Sequence, residues 1–245
     1  MTTDLVVEST GERLRLAQLM LGNPEIADAY EQLFGDLRLA RPLAAGTSIL
    51  VTSTAPDEGK STVSLCLAAT ASRAGQGALL VDGDLRRAAL TAAIGGIDSP
   101  GLIEFLLGEA QACQLIQLIP GLAEAPLGGV GFMPAGRKPP ISLGAVDWSK
   151  ARTAFRSVVQ GYGAVFLDSP PILAAADALL FAGIVDAVLL VIGTGNADLD
   201  EIRRAKEQLE ATGTPIIGAV LNRFKSKVHG SSNRPYNGYY RHPRT

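Results

Sequence analysis

Three short stretches carry charged and hydroxyl side chains in an order suited to phosphate chemistry. In "STAPDEGKST", Ser53 to Thr62, Gly59 is followed by Lys60, Ser61 and Thr62. This is the second half of G-x-x-x-x-G-K-[ST], a turn whose backbone N–H groups cradle phosphates. Lys60 can neutralise β- and γ-phosphates, and Ser61 can ligate Mg²⁺. The first glycine of the pattern is missing: Thr54 stands there, and Pro56, Asp57 and Glu58 fill the turn. The second stretch is Asp82-Gly83-Asp84, after "ALLV", and the third is Asp168, after "AVFL". Mg²⁺ takes oxygen ligands and keeps several waters, so two acids on neighbouring strands facing such a loop suit a metal–nucleotide site.

The elements around these stretches decide whether they can meet. "SILVTS" (48–53), "GALLVDGD" (77–84), "AVFLDSPP" (164–171) and "DAVLLVIG" (186–193) are apolar runs of strand length. "GVGFMPAG" (129–136) and "PIIGAVLNRF" (215–224) complete the set. Helical patterns lie between them, at 60–75, 101–109, 147–163 and 198–213. Buried strands alternating with helices imply a parallel sheet covered on both faces. Ligands bind beyond the carboxyl ends of such strands, where all three stretches fall. The expected fold is a doubly wound, mostly parallel α/β domain of the P-loop NTPase type over residues 47–224. An N-terminal helical arm (1–46) precedes it and a basic tail (225–245) follows. In the arm, Asn23-Pro24 starts a helix whose apolar stripe is Ile26, Ala29, Tyr30, Leu33 and Leu37.

Composition narrows the chemistry. The chain has 245 residues, 47% hydrophobic, with a net charge of −2, which gives no reason to expect a nucleic-acid partner. Its two cysteines, Cys66 and Cys113, lie in apolar surroundings and read as reduced core residues. The only histidines, His229 and His242, fall near the C-terminus, which excludes a histidine-based centre in the body of the chain. No secretory leader and no run of roughly 18 apolar residues is visible, so a cytoplasmic protein is expected. From Asn222 onward there is no acid, and three of the chain's five tyrosines, Tyr236, Tyr239 and Tyr240, cluster there.

"STAPDEGKST", "LLVDGDLRR" and "VFLDSPP" resemble the Walker A, Walker A′ and Walker B motifs of the bacterial tyrosine kinases of capsule and exopolysaccharide systems. The middle motif, apolar residues then D-x-D-x-R, is filled by Leu79, Leu80, Val81, Asp82, Asp84 and Arg86. "SPGLIEFLLGE", "FMPAGRKPP" and "ATGTPIIGAVLNRF" are similar to that family in order and spacing. The resemblance implies ATP and Mg²⁺ as cofactors. It implies that residues 56–62 (Pro56, Asp57, Glu58, Gly59, Lys60, Ser61, Thr62) surround the phosphates, with Thr62 at the α-phosphate. Ser61, Asp84 and Asp168 would hold the metal, and Asp82 would accept the proton of an attacking tyrosine hydroxyl. Asn222 resembles an adenine-contacting position of related ATPases. Tyr236, Tyr239 and Tyr240 would be autophosphorylation sites, modified mostly in trans. The partners implied are a transmembrane polysaccharide co-polymerase-type adaptor, further copies of the chain, and a phosphotyrosine phosphatase. The adaptor would hold the protein at the inner face of the membrane.

Three features depart from that family. Its arm carries E-x-x-R-x-x-R, where this chain has Asp28, Glu31 and Phe34, which puts ring assembly through that motif in doubt. Ile141-Ser142 replace an N-P pair. Asp57 stands where glycine is common, and its carboxylate is expected to weaken ATP binding unless it points to solvent. Two other readings stay open. One is a partition- or division-type ATPase switch, although Ala55 occupies the place of that group's extra lysine. The other is a weakly active regulatory interaction protein.

Overall fold

The structure is a computed structural model that describes residues 12–40, 46–95, 97–119, 122, 129–137, 143–195 and 198–223. The tail tyrosines and the Ile141-Ser142 pair lie outside the described residues.

Seven strands form one sheet: β1 (Thr47–Ser53), β2 (Ala78–Asp82), β3 (Gln117–Leu118), β4 (Val130–Met133), β5 (Ala164–Asp168), β6 (Ala187–Gly193) and β7 (Ile216–Asn222). Their order is β3-β4-β2-β5-β1-β6-β7. All neighbours pair in parallel except β3 and β4. The six apolar runs read from the sequence are the six parallel strands. The antiparallel β3 has only two residues, too few to show a periodicity.

The chain leaves β1 toward β2 on one side, and β5 returns past β1 to β6 on the other. This reversal opens a crevice at the carboxyl end of β1.

Successive residues of each strand point to opposite faces, which splits the core in two. On one face Leu50, Leu79, Leu167 and Leu190 pack with Leu102, Phe155, Phe181 and Leu209. These come from α5 (Leu102–Leu106), α6 (Trp148–Val159), α7 (Asp177–Ala182) and α8 (Leu199–Glu210). On the other face Ile49, Val51, Leu80, Phe166 and Leu189 pack under α3 (Lys60–Arg73). Twelve of the 14 residues of α3 are buried. Its sequence, rich in Ala, Ser and Thr, lets a second layer approach closely.

That second layer is α1 (Glu12–Gly22) and α2 (Pro24–Ala40), which pack on α3. Asn23 caps α2, its Oδ1 accepting from Glu25 N–H at 3.0 Å, with Pro24 in the first turn. The arm helices therefore share the core of the sheet domain. The buried stripe of α2 is Ala27, Tyr30, Phe34 and Leu37. Ala29, expected on that stripe, is exposed, and Ile26 and Leu33 are only half-buried. Phe34 belongs to the core beside α3. Cys66 is buried as expected, but Cys113 is exposed, at a short 3-10 turn where the flanking apolar residues point elsewhere. The short helix α4 (Ala89–Ile94), unread in the sequence, follows the D-x-D-x-R motif and completes the site.

Candidate active site

Register gathers the acids. Val51 of β1 pairs with Asp168 of β5, and Asp168 pairs with Asp82 of β2. The row Val51–Asp168–Asp82 crosses three adjacent strands just below the loop that leaves Ser53. Ser169 N–H donates to Val51 C=O at 3.2 Å and Gly83 N–H to Asp168 C=O at 2.8 Å, extending the sheet past the acids.

The loop from Thr54 to Gly59 is held from inside by Glu58. One Glu58 oxygen accepts from Thr54 Oγ1 at 2.8 Å and from Ala55 N–H at 2.9 Å. The other accepts from Gly193 N–H, at the end of β6, at 3.0 Å. Glu58 is buried, so its carboxylate braces the loop and does not face the phosphate side. Asn222, at the end of β7, donates from Nδ2 to the Glu58 carbonyl at 2.8 Å. The loop is thus tied to the ends of both β6 and β7. At Gly59, φ is 93°, and a Cβ there would lie against the Asn222 amide, so this position requires glycine. Asp57 also sits at positive φ, 61°, which an Asp tolerates better than most side chains. The first bond of α3 runs from Val63 N–H to Gly59 C=O, so the preceding amides are open to an anion.

Lys60 is buried with its Nζ 3.8 Å from Asp84 Oδ2. Asp84 Oδ1 accepts from Arg87 N–H at 3.1 Å. Asp84 Oδ2 and both oxygens of Asp168 are buried without a hydrogen-bond partner. Three buried carboxylate oxygens without hydrogen bonds, sharing one lysine, are costly unless a further cation satisfies them. Burial raises the Asp168 pKa to about 7, against the opposing charge of Lys60, and Asp82 raises it further. Among the described residues no group of three His, Cys, Asp or Glu could hold a metal by itself. The arrangement fits Mg²⁺ held by Ser61, Asp84 and Asp168 only together with phosphate oxygens and water.

Asp82 is placed differently from Asp84. Its Oδ2 accepts from Thr91 N–H and Thr91 Oγ1, both at 2.8 Å, and its Oδ1 accepts from Asp84 N–H at 3.2 Å. It is fully buried, and burial raises its pKa to about 6 despite these bonds. Two residues apart, Asp82 and Asp84 would face one way if the strand continued through both. The strand ends at Asp82, alternation stops there, and only Asp84 lines the pocket. Thr91 Oγ1 also accepts from Ala135 N–H at 2.9 Å, linking Asp82 to the "PAG" loop after β4.

The pocket holds about 170 Å³ and is lined by Lys60, Ser61, Thr62 and Asp84 from the expected set, together with Asp57 and Gly59. Pro56 is exposed on the turn and does not line it. Three lining residues escaped the sequence reading, Arg87, Ala89 and Arg223. Arg87 directly follows the arginine of D-x-D-x-R, and a second basic residue at that place was the available signal. Arg86 itself turns away, its Nε donating to Asp177 at 2.9 Å to hold the start of α7. No helix among the described residues is long and apolar enough to cross a membrane.

Comparison with known proteins fits this geometry. The CobQ/CobB/MinD/ParA nucleotide binding domain family matches residues 49–238. The tyrosine-protein kinase YwqD of Bacillus subtilis is 28% identical over 237 residues, 95% of this chain and 94% of that protein. The tyrosine-protein kinase CpsD of Streptococcus pneumoniae is 31% identical over 182 residues, 74% of this chain and 78% of that protein. The kinase domain of the Escherichia coli tyrosine kinase ETK matches with a TM-score of 0.74 at 28% identity, covering 85% of this chain and 80% of that one. With the loop, the paired acids and the sheet order in place, the chain belongs to the CobQ/CobB/MinD/ParA nucleotide-binding family and, within it, to the bacterial tyrosine-protein kinases.

Proposed function

We propose that this protein is an ATP-dependent protein-tyrosine kinase that phosphorylates Tyr236, Tyr239 and Tyr240 of its own C-terminus, mainly on a neighbouring copy. The observation that carries the reading is where β7 ends. Asn222 is bonded to the phosphate loop and Arg223 lines the pocket, so the tyrosine-bearing segment leaves from the pocket's mouth. Fourteen residues separate Asn222 from Tyr236. Fully extended they reach roughly 46–50 Å, enough to enter a second site.

Phosphoryl transfer needs positioning and charge neutralisation more than covalent chemistry. Lys60 and the first amides of α3 hold the phosphates. Ser61, Asp84 and Asp168 would hold Mg²⁺, which when bound would neutralise charge on the phosphate oxygens. Asp82 is the proton acceptor implied by the resemblance. With both its oxygens engaged, the role we assign it is to position Asp84 and Thr91. A tyrosine hydroxyl, with a pKa of about 10, stays neutral until late in transfer and needs no strong base at the outset.

The family likeness supports control of capsule or exopolysaccharide synthesis, through a transmembrane adaptor that holds the protein at the inner face of the membrane and activates it. Self-association and a phosphatase that resets the tail belong to the same reading. The test incubates purified wild type and Lys60→Met with Mg-ATP, with and without the adaptor's cytoplasmic segment. Mass spectrometry of the C-terminal peptide should find phosphotyrosine in the wild type and none in Lys60→Met. ATP hydrolysis without phosphotyrosine would instead identify an ATPase switch. Absence of both activities under all conditions would identify a regulatory interaction protein.

A further inference from the structure

Two loops face each other across the phosphate pocket, and an exposed ion pair joins them at its mouth, beyond the buried Lys60–Asp84 pair. Asp57 stands on the turn of the phosphate loop, and Arg87 follows the D-x-D-x-R motif. Arg87 Nη1 lies 3.8 Å from Asp57 Oδ1, with the side chains 59% and 73% exposed. Both residues line the pocket with Lys60, Ser61 and Asp84. The backbone of Arg87 is pinned, its N–H donating to Asp84 Oδ1, while its side chain is more than half exposed. A solvent-exposed pair at this distance is weak, worth about 0–1 kcal/mol. A polyphosphate offers the same guanidinium a stronger, bidentate acceptor.

We propose that Arg87 is a second phosphate-binding cation of this site and that Asp57 holds it in reserve. Nucleotide loading then exchanges the Asp57 carboxylate for phosphate oxygens on Arg87. Affinity is then set by the difference between the two pairings. This rests on reading the loop as the nucleotide site. It also revises the effect expected of Asp57: the carboxylate weakens nucleotide binding by occupying Arg87, not by repelling phosphate directly.

A double-mutant cycle on the full chain tests the proposal, with Mg-ATP affinity read by calorimetry. Asp57→Asn suits the position because Asn also tolerates positive φ. Both side chains are exposed, so the ligand-free variants should melt like the wild type. Asp57→Asn should tighten binding about threefold, and Arg87→Gln should weaken it about threefold. In the Asp57→Asn background Arg87→Gln should cost about tenfold, because nothing then competes for the guanidinium. Equivalently, Asp57→Asn should change affinity by less than about twofold once Arg87 is Gln. A tightening by Asp57→Asn that is equal or larger in the Arg87→Gln background would overturn the proposal, since the carboxylate would then act on phosphate directly. So would an Arg87→Gln variant of unchanged affinity. Lys60→Met separates the two levels. If binding is lost there but the cycle is additive, only the proposal fails. If binding is indifferent to Lys60, the nucleotide reading of the loop fails with it.

Discussion

Replacing Asp168 by Asn should stabilise the ligand-free protein while removing the site's ability to hold Mg²⁺. Asp168 is fully buried, with neither oxygen in a well-formed hydrogen bond, and burial raises its pKa from the usual 3.8 to about 7 against the opposing effects of Lys60 and the Ser61 hydroxyl. The folded state therefore keeps a proton on Asp168 that the unfolded chain has already lost. Stability is complete below the unfolded value and declines as pH rises from about 4 to about 7. At about pH 8 the charged carboxylate costs the fold about 4 kcal/mol relative to an unperturbed group. Asn removes that charge but leaves its own amide short of partners, returning about 1–3 kcal/mol. The net gain of about 2 kcal/mol corresponds to roughly 4–8 °C in Tm for a chain of this size. The assay is thermal unfolding of wild type and Asp168→Asn without nucleotide or metal, from about pH 5 to about pH 8. The variant's advantage should be small or absent at the acid end and grow toward the alkaline end. Mg-ATP should raise the Tm of the wild type and leave the variant nearly unmoved. A variant no more stable than the wild type at about pH 8, or an advantage that does not change with pH, would refute the reasoning.

The remaining predictions concern the loop brace and the arm. Glu58→Ala strips the acceptors from Thr54, Ala55 N–H and Gly193 N–H and should cost about 3 kcal/mol in urea unfolding, with weaker ATP binding in a titration. Glu58→Gln should recover only part of both, because its amide NH₂ must face one of those donors. Phe34, 3% exposed, packs in the core beside α3, and Phe34→Ala should cost about 3–5 kcal/mol by equilibrium denaturation. A loss under about 1 kcal/mol would show that Phe34 is not a core residue.

Much of the site is visible in the chain because its motifs are local. Gly59-Lys60-Ser61 describes a turn entering a helix, and any chain that folds there presents the same amides and the same lysine. The apolar runs before Ser53, Asp82 and Asp168 can be covered on both faces only in a parallel sheet, which puts their ends on one edge. The departures have equally specific causes. The two-residue β3 has no periodicity to detect. The stripe of α2 was read correctly at Tyr30 and Leu37 and one position off at Ile26 and Leu33, since Ala27 and Phe34 serve an apolar contact as well. Phe34 shows why that matters: the residue that lies beside the expected stripe is a core aromatic against α3.

What the sequence determined by itself is the fold class, the order of the three motifs and their arrival at one sheet edge. Each follows from the backbone and from hydrophobic patterning within about ten residues. Only the tertiary structure decided what each polar side chain faces. Glu58, within the phosphate motif, turns inward to Gly193, 135 residues away. Arg86, the arginine of its motif, serves Asp177, 91 residues away. Its neighbour Arg87 is the one that lines the pocket. Asp82 is committed to Thr91, and Asp84 is left open. A side chain's partner is chosen by competition among groups that meet only when distant strands and helices have packed, and residue order carries no measure of that competition.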